Sequence, residues 1–391
     1  MHLVEVIKPK QVKEFIYLPE KLYRQYPNFV PPFFADEEAF HNSRKNAAFQ
    51  ENDTIRFLAV DHGRTVGRVM GIIHHEYNSR HQQKTARFYQ LEFIDDPAVS
   101  ETLLKAIEEW AKDKGMNKLI GPYGFSDKDP QGYQIEGFEN LPVISTATNP
   151  PYLPKHLEAL GFQKEFDCLS YKINVIEKFP EAYELIYRRV SGNKLIKLIE
   201  FKTKKEIKPY IVPVFRLVNE AYSHLFGFTA MSESEMKKFA GQFLPILDPE
   251  FIKIVVDNTG AVVAFVVSVP DMSRGIQKAR GRLFPFGFYH ILSEQKKATQ
   301  LDLLLGAIKP NYRKRGITVL LAYALMRSAV KRKIKTIDSH LVLETNEPML
   351  AEVKNIGADL YKRYRIFGKG LKSNYLKSAA LKKTEPKKFL K

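Results

Sequence analysis

Residues 309–318 read Lys-Pro-Asn-Tyr-Arg-Lys-Arg-Gly-Ile-Thr, follow an apolar run over 301–308 and open directly into another over 319–326. The chemistry open to such a turn is anion binding. Gly316 lets the backbone turn tightly after a strand, and the next helix presents its free N–H groups and positive dipole end to whatever sits there. With Arg313, Lys314 and Arg315 alongside, the expected anion is a phosphate or pyrophosphate. A proton acceptor stands just upstream. Asp302 lies inside Leu301-Asp302-Leu303-Leu304-Leu305, where an unpaired acid costs roughly several kcal/mol. It is either a paired structural carboxylate or the first candidate for a general base, with His340 and Glu344 behind it. A lysine-ending phosphate loop, a Gly-x-Ser-x-Gly elbow and a His-Glu-x-x-His helix are absent from the sequence, and no metal site is expected.

The elements that must position these groups come in two similar sets. In the first, a hairpin flanks Asp61-His62-Gly63-Arg64, a strand covers 88–94, and Asp96-Pro97 opens a helix that Gly115 stops. A strand over 118–123, a Gly-, Pro- and aromatic-rich loop over 124–148, a short helix to Gly161 and a β segment over 162–173 complete it. After a helical connector near 180–190, the second set has a strand (195–202), two helices (207–224 and 232–247) and a hairpin around Asn258-Thr259-Gly260. An insertion (271–297), the strand and basic turn, a helix to about 332, a strand (336–343), a short helix (348–355) and a closing β segment (358–367) follow. Both halves run β, helices, hairpin, β, helix, β, helix, β, which points to an internal duplication.

Length and charge agree with that division. A chain of 391 residues favours two domains, and 44% hydrophobic with 27% charged residues is an ordinary globular composition. The net charge of +17 directs the protein toward anionic partners. Seven lysines against the single Glu385 make 372–391 a basic tail. One cysteine, Cys168, excludes an intrachain disulfide, and no uncharged apolar run approaches the length of a membrane span. The expectation is a cytoplasmic protein.

This element order, with Arg313-Lys314-Arg315-Gly316-Ile317-Thr318 between fourth strand and helix, resembles the GNAT (acyl-CoA N-acyltransferase) superfamily. The family turn reads Arg or Gln, two residues, Gly, one residue, Gly or Ala; Arg313 and Gly316 match, while Thr318 replaces the usual smaller residue. The resemblance implies an α/β fold of mixed sheets as two tandem GNAT-like domains, over 1–178 and 179–371. It implies that backbone N–H groups at Lys314, Arg315, Gly316, Ile317 and Thr318 cradle the pyrophosphate of acetyl-CoA or another acyl-CoA, with Arg313 adding charge. It further implies that Ala307 and Ile308 pair with the pantetheine arm, and that Asn346 either touches that arm or caps a helix.

One departure bears on mechanism. Many relatives carry an acidic tyrosine four residues before the glycine that ends the last helix; here that glycine is Gly357 and the position is Val353. Tyr361 and Tyr364 are the available substitutes. The first half departs further, with Asp95 and Asp96 where the turn would be, so it is expected not to bind coenzyme A and to shape the acceptor side, the 124–148 loop acting as a lid. The expected activity is transfer of an acyl group, acetyl first, from a coenzyme A thioester to an amine. The alternatives are an aminoacyl-tRNA-dependent acyltransferase, which would make a nucleic acid a partner, and a non-catalytic acyl-CoA or partner-binding module.

Overall fold

A computed structural model describes residues 1–372; beyond Lys372, the basic tail lies outside the described residues. The first half supplies β1 (His2–Glu5), β2 (Asp53–Asp61), β3 (Arg64–Ile73), β4 (Thr85–Phe93), β5 (Lys118–Gly121), β6 (Tyr133–Glu136) and β7 (Gln163–Asn174). The second supplies β8 (Ile196–Glu200), β9 (Ile252–Asp257), β10 (Val262–Pro270), β11 (Gln300–Ile308), β12 (Thr336–Leu343) and β13 (Asp359–Gly370). All join one mixed sheet in the order β1-β2-β3-β4-β5-β13-β7-β12-β11-β10-β9-β8, with β6 on β13.

That order reads the same from either edge to the centre, so the duplication is present in the topology. It also carries an exchange. The closing strand of each half lies beside the fifth strand of the other, β7 on β12 and β13 on β5. The two closing strands pair with each other from Asp359 opposite Lys172 to Gly368 opposite Gln163. A buried cluster of Ile120, Tyr123, Phe166, Cys168, Leu343, Tyr364 and Ile366 joins the halves across this centre.

Helices cover both faces of the second half. The helix Ile317–Lys331 buries Ile317, Leu320, Leu321 and Leu325 against Phe251, Val255, Val263, Leu301 and Ile337. Each such side chain contributes about 1.5–3 kcal/mol when fully buried. On the other face, Val214, Phe215 and Val218 of the helix Ile211–Tyr222 pack on Ile252, Ile254, Phe265 and Ala307. The insertion over 271–297 forms two helices, Ser273–Ala279 and Gly287–Lys297. Helices Pro9–Tyr23 and Phe34–Phe40, along with β1 and β6, are elements for which the sequence reading has no counterpart.

The feature that positions the site is a fork. β11 and β12 run parallel and pair only from Gln300 opposite Thr336 to Leu303 opposite Ser339. β11 then continues to Ile308 and β12 to Leu343 without pairing to each other. Leu341 adopts a left-handed backbone (φ 52), and the register of β12 on β7 shifts there, which bends β12 away. β4 and β5 form the equivalent fork in the first half, pairing only from Thr85 opposite Lys118 to Arg87 opposite Ile120.

Candidate functional site

The basic turn closes the open end of the second fork. Gly316 takes φ 80 and Lys314 φ 60, both left-handed, and the helix begins at Ile317. Glycine is required at 316 for a second reason. A Cβ there would stand 2.8 Å from Val190 and 2.9 Å from Ile186 on the helix Glu181–Ser191. Among the described residues, the N–H groups of Gly316, Ile317, Thr318 and Val319 donate to no protein acceptor, as the first turn of an uncapped helix must leave them. Arg315 lies over the Tyr312 ring at 5.2 Å and Arg313 Nε reaches the Ile308 carbonyl at 3.4 Å. A hollow of about 130 Å³ lined by Tyr312, Arg315, Ile317, Asn193, Leu195 and Asn258 adjoins the turn. Donor set, charge and helix end all fit a pyrophosphate.

The edge of β11 that faces the fork differs from the sequence expectation by one residue. Lys309 N–H donates to Val263 O, and Ala307 sits opposite Phe265, so 307 and 309 turn their backbone groups toward β10. By alternation the fork edge belongs to Gly306 and Ile308. Ile308 thus stands where an arm could pair, while Ala307 does not. Gly306 is engaged by Tyr222, whose hydroxyl donates to Gly306 O at 2.8 Å and accepts from Gly306 N–H at 3.4 Å. Asn346 caps the helix Glu347–Asn355, its Oδ1 accepting from Met349 N–H at 3.4 Å, and Val353 is buried in that helix.

At the closed end of the fork lies a cluster of buried polar groups. Asp302 and Asp338 are register partners on β11 and β12, both fully buried. His340 Nδ1 is 2.7 Å from Asp338 Oδ1, and Nε2 is 2.5 Å from Ser145 Oγ. Tyr361 donates its hydroxyl to Asp338 Oδ2, and the buried Lys362 ammonium sits 3.7 Å from the same oxygen while donating to Leu141 O at 3.2 Å. Tyr361 and Lys362 are adjacent in sequence yet reach one carboxylate because β13 is bulged there, its register on β7 slipping between Leu360 and Lys362.

The two carboxyls are held in opposite states. Burial, reinforced by the negative charges of Asp271 and Asp338, pushes Asp302 well above the carboxylate range; Gln300 donates to its Oδ1 at 2.9 Å and its Oδ2 has no partner among the described residues. Asp302 is therefore the neutral acid. Burial also opposes ionisation of Asp338, but the hydrogen bond and charge of His340, the charge of Lys362 and the hydrogen bond from Tyr361 outweigh it and hold the carboxyl below its usual range. An ionised Asp338 makes Nδ1 of His340 the donor, so that in the neutral imidazole Nε2 is the acceptor for the Ser145 hydroxyl.

The sequence-predicted residues thus separate. Asp302 and Tyr361 meet in this cluster, with Asp338 between them and His340 attached. Burial and the Asp338 carboxylate raise the Tyr361 phenol, which makes it a poor proton donor. Glu344 lies outside the cluster: it accepts from Asp167 N–H at 3.0 Å and Lys164 Nζ at 2.6 Å and ties β12 to β7. Asp338, Lys362 and Ser145 were not singled out from the sequence. Asp338 lies in Thr336-Ile337-Asp338-Ser339-His340, a polar stretch in which an acid does not stand out as Asp302 does among leucines.

The 124–148 segment crosses from the first half onto this cluster, bringing Ser145, Leu141 O and Pro142 O, the last accepting from Ser273 Oγ at 2.6 Å. Within it Phe125 and Tyr133 are core residues, as is Tyr123 just before it, while Phe138 is half-buried. The first half's own fork is filled from within. Phe88 O accepts from Tyr123 N–H at 2.9 Å, Leu91 O from the Tyr133 hydroxyl, and Phe93 O from the Tyr152 hydroxyl at 2.5 Å. At the matching helix start, Asp96 caps Ala98 N–H at 2.8 Å and Asp95 meets His156 at 2.7 Å.

No family model matches the chain. It is 29% identical over 370 residues to Protein YghO of Escherichia coli (strain K12), covering 93% of this chain and 94% of that protein. It is 26% identical over 382 residues to the bacterial ceramide synthase of Caulobacter vibrioides, covering 95% of this chain and 98% of that one. Among solved structures, a tandem GNAT protein from the clavulanic acid biosynthesis pathway superposes with a TM-score of 0.53 at 14% identity, covering 95% of this chain and 98% of its own.

Proposed function

From the premise that this chain has the tandem GNAT fold, an acyltransferase fold, we propose that it is an acyl-CoA-dependent N-acyltransferase with one donor site per chain, in the second fork, and a long-chain amine as acceptor. The observation that carries this reading is the second fork itself: an anion cradle at its open end and a buried Asp338–His340 pair at its closed end. From Leu304, one residue beyond the last registered pair of β11 with β12, to Ile308 is four strand steps, about 13 Å at 3.3 Å per residue. That is comparable with an extended pantetheine arm, so a donor anchored at the turn would bring its thioester to His340.

In this mechanism His340 Nε2 takes a proton from the amine, directly or through the Ser145 hydroxyl, as the nitrogen attacks the thioester carbonyl. Asp338 holds the imidazole in the accepting tautomer and stabilises the imidazolium. The C–N bond forms, the C–S bond breaks, and the thiolate leaves with a proton from water or the imidazolium. Asp302, the first candidate from sequence, is assigned a supporting part as the neutral neighbour of Asp338.

The choice of acceptor is supported by the relative named as a ceramide synthase, matched over nearly its full length at 26% identity. A ceramide is a fatty amide of a long-chain amino alcohol. We assign this chain the same class of product, which replaces acetyl by a long acyl group. The filled first fork, and the carboxylates at its helix start, support a single donor site.

Incubation with palmitoyl-CoA and sphinganine is expected to yield free thiol and amide in equal amounts, measured by thiol titration and mass spectrometry. Thiol release without amide, or none with any long-chain amine, would refute the reading. A second test concerns Tyr222, whose hydroxyl occupies the Gly306 edge an arm would use. Tyr222→Phe removes a competing hydrogen bond with a net strength near 1 kcal/mol, so acyl-CoA should bind about 5-fold more tightly by calorimetry. Weaker binding would mean that Tyr222 contacts the donor instead of yielding to it.

A further inference from the structure

The insertion between β10 and β11 has Leu283-Phe284-Pro285-Phe286-Gly287-Phe288-Tyr289 at the junction of its two helices. Phe284 is 84% exposed, Phe286 74%, Tyr289 73% and Phe288 45%. Most phenylalanines of this chain lie in its core, and four aromatic rings in solvent within six residues need a reason. Together they present on the order of 500 Å² of apolar surface, the size at which a patch marks an interaction site.

The loop is firmly held. Phe288 N–H donates to Leu283 O at 2.8 Å, and Gly287 lies so close to Arg282 O that no side chain fits. Leu283 and Ile291 pack with Met272, Ile276 and Val269, and the Arg282 guanidinium makes two hydrogen bonds to Glu20, at 2.8 and 2.7 Å. The rings are therefore displayed on a fixed platform.

That platform is basic. The insertion carries Arg274, Lys278, Arg280, Arg282, Lys296 and Lys297 against Asp271 and Glu294 only. Glu294 pairs with Lys278 and Asp271 caps Ser273, while Arg24 and Arg280 add their charge to that of Arg282 around Glu20. A second copy of this chain would set cations against cations. An anionic bilayer accepts both features, aromatic rings at the headgroup level and cations above them.

We infer that the 284–289 loop docks this protein on the surface of an anionic membrane. No helix among the described residues is long and apolar enough to cross one, so the attachment is peripheral. The same insertion touches the catalytic fork, through Ser273 on Pro142 O and through Asp271, whose charge bears on Asp302. Docking would hold the fork next to a bilayer, the phase in which long-chain substrates reside. The inference stands on the exposed rings and cations and does not depend on the acyl-transfer reading.

The test is sedimentation of the full chain with vesicles of phosphatidylcholine alone or with phosphatidylglycerol added, in the absence of amine and acyl-CoA. The parent should pellet with the anionic vesicles, less at high salt, and F284S/F286S/Y289S should bind at least 10-fold more weakly. Because the three side chains are exposed, the melting temperature should be unchanged; if that variant does not fold, F286W replaces it, with a vesicle-induced blue shift expected. The inference is overturned if the parent ignores anionic vesicles, if the triple variant pellets equally, if F286W shows no shift, or if the parent is a dimer that the triple variant dissociates.

Discussion

His340→Ala is expected to lower kcat for amide formation about 10²–10⁴-fold, the range for loss of a positioned general base. The affinity for acyl-CoA should be unchanged, because His340 sits at the closed end of the fork and the cradle at the open end. Asp338→Asn should cost a similar factor for a different reason. An amide NH₂ or carbonyl facing Nδ1 no longer fixes the tautomer, and the ionised partner of the imidazolium is gone. The two losses should not add, since both remove one unit. Asp302→Asn should be mild by comparison, because a carboxyl that is already neutral is replaced by a neutral isostere. A large loss for Asp302→Asn with a small one for His340→Ala would return the base to β11.

Gly316→Glu is expected to weaken acyl-CoA binding by about 100-fold or more, roughly 3 kcal/mol. Three effects act together. The left-handed φ of 80 disfavours any side chain, the new Cβ meets Val190 and Ile186, and a carboxylate stands where phosphate charge would sit. Arg313→Glu with Arg315→Glu separates charge from strain, since it leaves the backbone turn intact. Calorimetry should show a smaller but clear loss for that pair. Unchanged affinity in both variants would remove the donor from this turn.

How far the sequence foretold these groups depended on whether their signal was local. The basic turn was legible because strand, glycine, cations and helix are contiguous from 301 to 326. The duplication was legible in element order. The exchange of β7 and β13 was not, because strand order is set by long-range pairing that no local pattern encodes. The exchange also explains the site residues that were missed. Asp338, Lys362 and Ser145 come from β12, β13 and a first-half loop, and only the shared centre of the sheet brings them together. Asp302 drew attention because an acid interrupts four leucines. Its neighbour Asp338, set among Thr336, Ser339 and His340, shows no such anomaly, and the environment of the pair decides which of them is ionised. The one-residue difference between Ala307 and Gly306 reflects the two-residue period of a strand, whose phase is fixed only by its partner β10.

A single donor site per chain, in the second fork, fixes the stoichiometry of donor binding. Titration of the full chain with a non-hydrolysable acyl-CoA analogue in a calorimeter tests it most directly. One equivalent should bind, be lost in Gly316→Glu and be kept when Asp95 and Asp96 are both changed to asparagine. Two equivalents, or one that survives Gly316→Glu, would contradict it.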